Sequence, residues 1–306
     1  MCMERLIGKM KKNITVVIPA YGNEPNLEKV VNAVLAQTVL PKKIIISHSG
    51  DHEPRKGGAL SNERVTIIHQ DERLFAGAAR NKAAKLVETE SIAFLDADVL
   101  PEPNWLQNLV KAALNHGEQT ILVGSIGYAS RGGYWGMVLW WIEFSSAHRY
   151  MPERKVFAGA TANMLISTEL FKTLGGFPED FQPGEDTALQ AKHLENKGCI
   201  QFVPDACVHH FNKQGIKHCF VHLFNLGFFS ARVRKKHSLP GQLAVRYPLL
   251  SFPLTIVRLL QIFYRAIFFG KGMRLNFLLH MPGITIALPS WGLGFYRESR
   301  NNSVRI

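Results

Sequence analysis

Four short apolar runs, separated by helical patterns or polar turns, constrain this chain more than any other feature. ITVVI (14–18), KIIIS (43–47), VTIIH (65–69) and IAFL (92–95) are too short for helices, and the first three are rich in β-branched residues, which marks the runs as strands. ILVGSIGY (121–128) reads as a fifth. Between them, residues 26–37 place Leu27, Val30, Val31, Val34 and Leu35 at helical spacing. Residues 76–87 read as an alanine-rich helix and residues 105–114 as another. Strand–helix alternation of this kind gives an α/β fold, with a mostly parallel central sheet flanked by helices. Ligands of such sheets sit at the carboxyl ends of the strands, so the loops after Ile18, Ser47, His69 and Leu95 gather on one rim.

The chemistry candidates cluster after those strands. SIAFLDADVLPEP ends an apolar strand on two carboxylates, Asp96 and Asp98. Like charges so close repel, unless a cation or hydrogen-bond donors stabilise both. A hard divalent cation, Mg²⁺ or Mn²⁺, sharing phosphate oxygens would do so. The same pair also suits a turn and a helix N-cap. Glu185 and Asp186 follow Pro183-Gly184 and open a helix. Acids there complement the helix dipole, and one of them facing the rim could serve as a general base. FVPDACVHHF ends a strand on His209 and His210, both candidate metal ligands. Extended backbone would point them oppositely, so one of the two is expected to bind.

No GxGxxG follows the first strand, and no GxxxxGK[ST] or GxSxG occurs. Rossmann, P-loop and α/β-hydrolase chemistries are therefore poor readings. The four cysteines, Cys2, Cys199, Cys207 and Cys219, lack CxxC spacing. They read as reduced thiols in the cytosol, with neither a disulfide framework nor a zinc site expected. The N-terminus, MCMERLIGKMKKN, is basic without the apolar stretch of a secretory signal.

The net charge of +12 is unevenly spread. From Phe211 onward there are 14 Lys and Arg against one acid, Glu298, a net of +13. Taken from totals of 36 and 24, that leaves 22 bases and 23 acids before it. The basic stretch also holds 11 of the 19 phenylalanines, which favours an anionic membrane surface over nucleic acid as its partner. Residues 216–236 and 253–269 read as amphipathic helices, with Arg258 and Arg265 of the second snorkelling from a membrane interface. Residues 275–296 are long enough to span, but Pro282, Gly283, Pro289, Gly292 and Gly294 suggest an interrupted, re-entrant or interfacial segment. WGMVLWWIEF (135–144) reads as core rather than as an acceptor surface.

Five stretches, in order, carry a family resemblance over residues 14–212. They are TVVIPAYGNEPNLEKVVNAVLAQT, AGAARNKAA, SIAFLDADVLPEPNWL, AGATANMLISTELFKTLGGFPEDFQPGEDTALQAKHLENKG and VPDACVHH. Together they resemble the family 2 glycosyltransferases of GT-A fold. The resemblance implies a catalytic domain, expected over 1–212, and inverting transfer of a sugar from a nucleotide diphosphate donor. The basic, phenylalanine-rich residues 213–306 are expected to associate with a membrane, so the expected acceptor is a lipid-linked or envelope glycan at the cytoplasmic face of the cell membrane. By the resemblance, Asp98 is the metal-binding aspartate and Asp96 the donor-contacting acid. Asp186 is the base, and Glu185 and Asn163 lie toward the acceptor. Pro19, Ala20 and Tyr21 form the nucleobase side, Arg80 and Asn81 border the donor, and His210 or His209 approaches the metal. The family's acids after the second strand are replaced here by Ser47 and His48, with Asp51 the nearest acid along the loop. Two other readings compete: an inactive membrane scaffold that kept the fold, and a haloacid-dehalogenase-like phosphatase using the DAD stretch.

Overall fold

The computed structural model describes residues 13–55, 57–129, 133–181 and 183–301. Cys2 and the basic N-terminal stretch lie outside them. The described strands are β1 (Ile14–Tyr21), β2 (Lys43–Ser49), β3 (Val65–Gln70), β4 (Ser91–Leu95), β5 (Val99–Pro101), β6 (Thr120–Tyr128), β7 (Arg154–Lys155), β8 (Asn163–Ser167) and β9 (Cys199–His210). The described helices are α1 (Leu27–Leu35), α2 (Ala76–Ala84), α3 (Trp105–His116), α4 (Tyr134–Phe144), α5 (Thr168–Thr173), α6 (Glu185–Glu195), α7 (Ile216–Lys236), α8 (Leu243–Arg246), α9 (Ser251–Phe269) and α10 (Arg274–Arg300).

The strands form one mixed sheet in the order β3-β2-β1-β4-β8-β6-β9-β5, with β7 paired to β9. The first four strands of that order run parallel. β8 pairs antiparallel with both β4 and β6, and β5 antiparallel with β9. The parallel strands are apolar because helices cover their faces, so Val16, Val17, Ile18, Ile44, Ile46 and Phe94 are all buried.

Contacts divide the chain into two compact units. One runs through Ile126 and resumes over Glu153–His210. The other joins Gly127–Pro152, which a domain over 1–212 would contain, to the chain from Phe211 onward. The core of this second unit includes Trp140, Trp141, Leu223, Ile262, Phe277, Trp291 and Phe295. Trp141 donates Nε1–H to Asn276 Oδ1 at 2.9 Å, so residues 135–144 are core here.

Two expectations for the second unit change. α10 is continuous through Pro282 and Pro289. A proline deletes one helical hydrogen bond, yet the next amide, Gly283 N–H, donates to the Tyr134 hydroxyl at 2.9 Å, a tertiary partner on α4. The glycines serve helix crossing: a side chain at Gly294 would run into the Phe224 carbonyl of α7, and one at Gly227 into the Trp291 carbonyl. On α9, Arg258 does not snorkel outward. It donates to the Ile142 carbonyl at 3.2 Å and stacks over Trp291, while Phe252, Ile256, Val257, Leu260, Phe263 and Phe268 form the exposed face. The Pro248–Phe269 stretch is the one segment, among the described residues, long and apolar enough to cross a membrane.

Candidate active site

The candidate site is built where parallel strands end. β4 finishes at Leu95 and delivers Asp96 and Asp98 into the turn leading to β5. α2, next to β1 and β2, supplies Arg80. Its guanidinium reaches Asp96 Oδ1 through Nη2 at 2.5 Å and Glu185 Oε1 through Nη1 at 3.0 Å. Burial alone would lower the Arg80 pKa, but Asp96, Glu185 and Asp186 outweigh it and hold the charge in place. α2 can come this close to α6 because Gly77 has no side chain: a Cβ there would stand 2.9 Å from Glu185 Cγ. Arg80, Asp96 and Glu185 are thus one charge cluster drawn from three elements.

Asp98 points the other way. Its Oδ1 lies 3.8 Å from His210 Nε2, and its side chain is 29% exposed. Burial pushes its pKa up to about 6; His210 opposes this, and Asp96 and Glu24 add to it. A carboxylate and an imidazole facing one space, with the carboxylate short of stabilising charge, suit a divalent cation, so the residues present fit one. His209 is not part of this pair. It lies on the opposite face of β9, its Nε2 3.0 Å from Glu102 Oε1. The extended backbone separates the two histidines and puts His210, not His209, beside Asp98.

Asp186 follows Glu185 in the first turn of α6. Its Oδ1 accepts from Thr187 N–H at 2.6 Å. Burial raises its pKa, and Arg80 and the Thr187 hydrogen bonds only partly counter this. Glu185 is raised by burial and then by Asp186, with Arg80 opposing. Proton affinity above the ordinary carboxylate range is a property a general base uses.

The remaining predicted residues divide into rim and interior. Pro19, Ala20 and Tyr21 close β1 beside Ser47, His48 and Ser49 of β2. Tyr21 is exposed, with the Arg73 guanidinium 4.7 Å over its ring and 5.0 Å over Phe75. Asp51 is exposed in the bend after β2. Asn81 faces the loop after α5: it accepts from Phe177 N–H at 2.9 Å and donates to the Phe177 carbonyl at 2.8 Å. Asn163 is an interior clamp rather than an acceptor-side group. It is fully buried, donating to the Ser125 and Ala206 carbonyls at 2.9 and 2.8 Å and accepting from Trp105 Nε1 at 2.7 Å. Its amide is saturated within the sheet.

Sequence reasoning missed the histidine pair that fills the β2 position. His48 is buried, its Nε2 2.8 Å from the Gly22 carbonyl and its Nδ1 2.9 Å from His69 Nδ1 on β3. A carbonyl only accepts, so His48 donates through Nε2, and a single proton bridges the two Nδ1 atoms. Only the pairing of His48 with His69 across β2 and β3 reveals it.

The model of the glycosyl transferase family 2 matches residues 15–175, more than half of the chain. The chain belongs to glycosyl transferase family 2. This family 2 chain is 24% identical over 198 residues to glycosyltransferase AglE of Haloferax volcanii, covering 63% of this chain and 64% of AglE. It therefore spans just under two thirds of that relative's length. It is 25% identical to the O-antigen chain rhamnosyltransferase RfbN of Salmonella typhimurium, covering 71% of this chain and 72% of RfbN. Among solved structures, S. aureus TarS 1–349 in complex with UDP-GlcNAc matches 94% of this chain and 90% of its own, with a TM-score of 0.51 and 15% identity. That likeness shows a GT-A-like fold. Family membership removes the phosphatase reading, since the DAD stretch falls within the matched region.

Proposed function

We propose that this family 2 chain transfers a sugar, with inversion, from a nucleotide diphosphate sugar to a lipid-linked or envelope glycan hydroxyl at the cytoplasmic face of a membrane. The arrangement of Asp96, Arg80 and Glu185–Asp186 at the carboxyl ends of the parallel strands carries this reading. Asp186 takes the proton from the acceptor hydroxyl as its oxygen attacks the anomeric carbon. The bond from that carbon to the diphosphate breaks, and the electron pair leaves with the phosphate oxygen. The new glycosidic bond forms in a single displacement, without a covalent enzyme intermediate. Asp98 and His210 would hold Mg²⁺ or Mn²⁺, which when bound supplies positive charge against the diphosphate. Asp96, oriented by Arg80, faces the donor, and Pro19, Ala20 and Tyr21 border its base. Ser47 and His48 stand where the family's acids stand, with His48 paired to His69, so recognition of the base follows this chain's own chemistry.

The exposed apolar face of α9, with the basic residues around it, supports the membrane acceptor, as does a relative named for the O-antigen chain. Nucleotide diphosphate release across a panel of sugar nucleotides, with and without Mg²⁺ or Mn²⁺, tests the reading. Release that requires both Asp98 and Asp186 supports it. Full release by Asp98→Ala and Asp186→Ala would sink it, and absence of any donor binding would favour the inactive scaffold.

A further inference from the structure

A second cluster lies on the face of β9 opposite His210. Cys207 and His209 alternate along the strand and so share that face. β5 runs antiparallel beside it, Leu100 opposite His209 and Pro101 opposite Val208. The ladder extends one step further, because Glu102 N–H donates to the Cys207 carbonyl at 3.0 Å. Glu102 therefore faces the same side as Cys207, and its Oε1 lies 3.0 Å from His209 Nε2. A carboxylate oxygen, a thiol sulfur and an imidazole nitrogen all fall within 4.8 Å of one another. Cys207 is fully buried, while His209 and Glu102 are 34% and 28% exposed. The sulfur is the floor of the cluster, and the other two groups leave a path to solvent.

We propose that Glu102, Cys207 and His209 form a binding site for a thiophilic divalent cation, zinc above all. Four-coordinate zinc takes sulfur, nitrogen and oxygen ligands at about 2.0–2.3 Å, and three protein ligands leave one position for water. The thiolate sets this site apart from the Asp98–His210 pair, whose oxygen and nitrogen donors suit harder cations. The missing CxxC spacing is no obstacle, since the ligands come from two strands brought together by pairing. Binding releases the Cys207 thiol proton to solvent, and the sulfur enters as thiolate. A cation here fastens β5 to β9. Asp98 immediately precedes β5 and His210 ends β9, so the site fixes the spacing of the pair across the sheet.

Titration of the full chain, kept reduced, with Co²⁺ tests the site by a signal independent of activity. The expected result is saturation near one equivalent of a sulfur-to-cobalt charge-transfer band, reversed by zinc. Cys207→Ser abolishes the band and Cys219→Ser retains it. His209→Gln and Glu102→Gln weaken binding by roughly tenfold or more. No charge-transfer band in the unmodified chain, or a band that survives Cys207→Ser, overturns the proposal. Should Cys207→Ser fail to fold, half-exposed His209→Gln decides: affinity equal to that of the unmodified chain overturns it as well.

Discussion

Removing the Arg80 guanidinium would leave Asp96 and Glu185 without the cation both now contact. Arg80→Ala is expected to cost about 3 kcal/mol in chemical denaturation, because it strands buried charge rather than deleting a contact. Asp186→Asn keeps size and the Thr187 hydrogen bond but cannot accept a proton. Its kcat should fall by roughly 10²- to 10⁴-fold with little change in donor KM, as steady-state kinetics would show. Asp98 gives a pH signature. Its folded pKa of about 6 lies above its ordinary 3.8, so the folded state holds a proton that the unfolded chain has lost between those values. The contribution of Asp98 to the metal-free fold therefore falls as pH rises across that window, by no more than about 2–3 kcal/mol, and is constant above it. Affinity for Mn²⁺ runs the opposite way, weakening as pH falls below about 6, because the cation needs the carboxylate. Denaturation midpoints at pH 4.5 and 7, with and without Mn²⁺, check both signs. Asp96, Asp98 and Asp186 were legible because their neighbours in sequence mark them. Glu102 was not, since nothing local ties it to residues 207 and 209.

Strand pairing makes most of the contacts that local sequence conceals. β1 to β3 announce themselves through β-branched runs and β4 through a short apolar one, whereas β5 is three residues ending in proline and reads as a turn. With β5 unread, the separation of His209 from His210 could be expected but the Glu102 partner of His209 could not. β8 goes unread, although Met164, Leu165 and Ile166 form a short apolar run, and Asn163, its first residue, is placed toward the acceptor only by the resemblance. Its three hydrogen bonds tie β8 to α3, β6 and β9. Asn163→Ala should destabilise the fold by roughly 2–4 kcal/mol, measured by urea denaturation, by leaving buried carbonyls and an indole N–H unpaired. α10 shows the converse error. Its prolines and glycines looked like interruptions because proline and glycine weaken an isolated helix, but α4 and α7 supply what the helix lacks. Gly294→Leu should disrupt packing of α10 on α7, lowering the thermal midpoint by several degrees or more.

At the scale of the molecule, the charge asymmetry read from the sequence persists, but its meaning shifts. Arg258 is directed into the protein, and the outward face of α9 is apolar. Attachment to lipid should then depend on burial of that face at least as much as on charge. Replacing Leu260, Phe263 and Phe268 together by Glu should weaken co-sedimentation with phosphatidylglycerol vesicles by about a thousandfold or more, since each large apolar side chain contributes roughly 1.5–3 kcal/mol when buried. Added salt should weaken the unmodified chain far less. The course of the backbone has a practical corollary. Residues 127–152 group with the C-terminal helices, and the first unit resumes at Glu153. Cutting the chain after His210 would strip α4 of its neighbours and bare Trp140 and Trp141 to water, a recipe for aggregation. A form of the sheet-bearing unit free of that liability requires residues 127–152 to be removed as well.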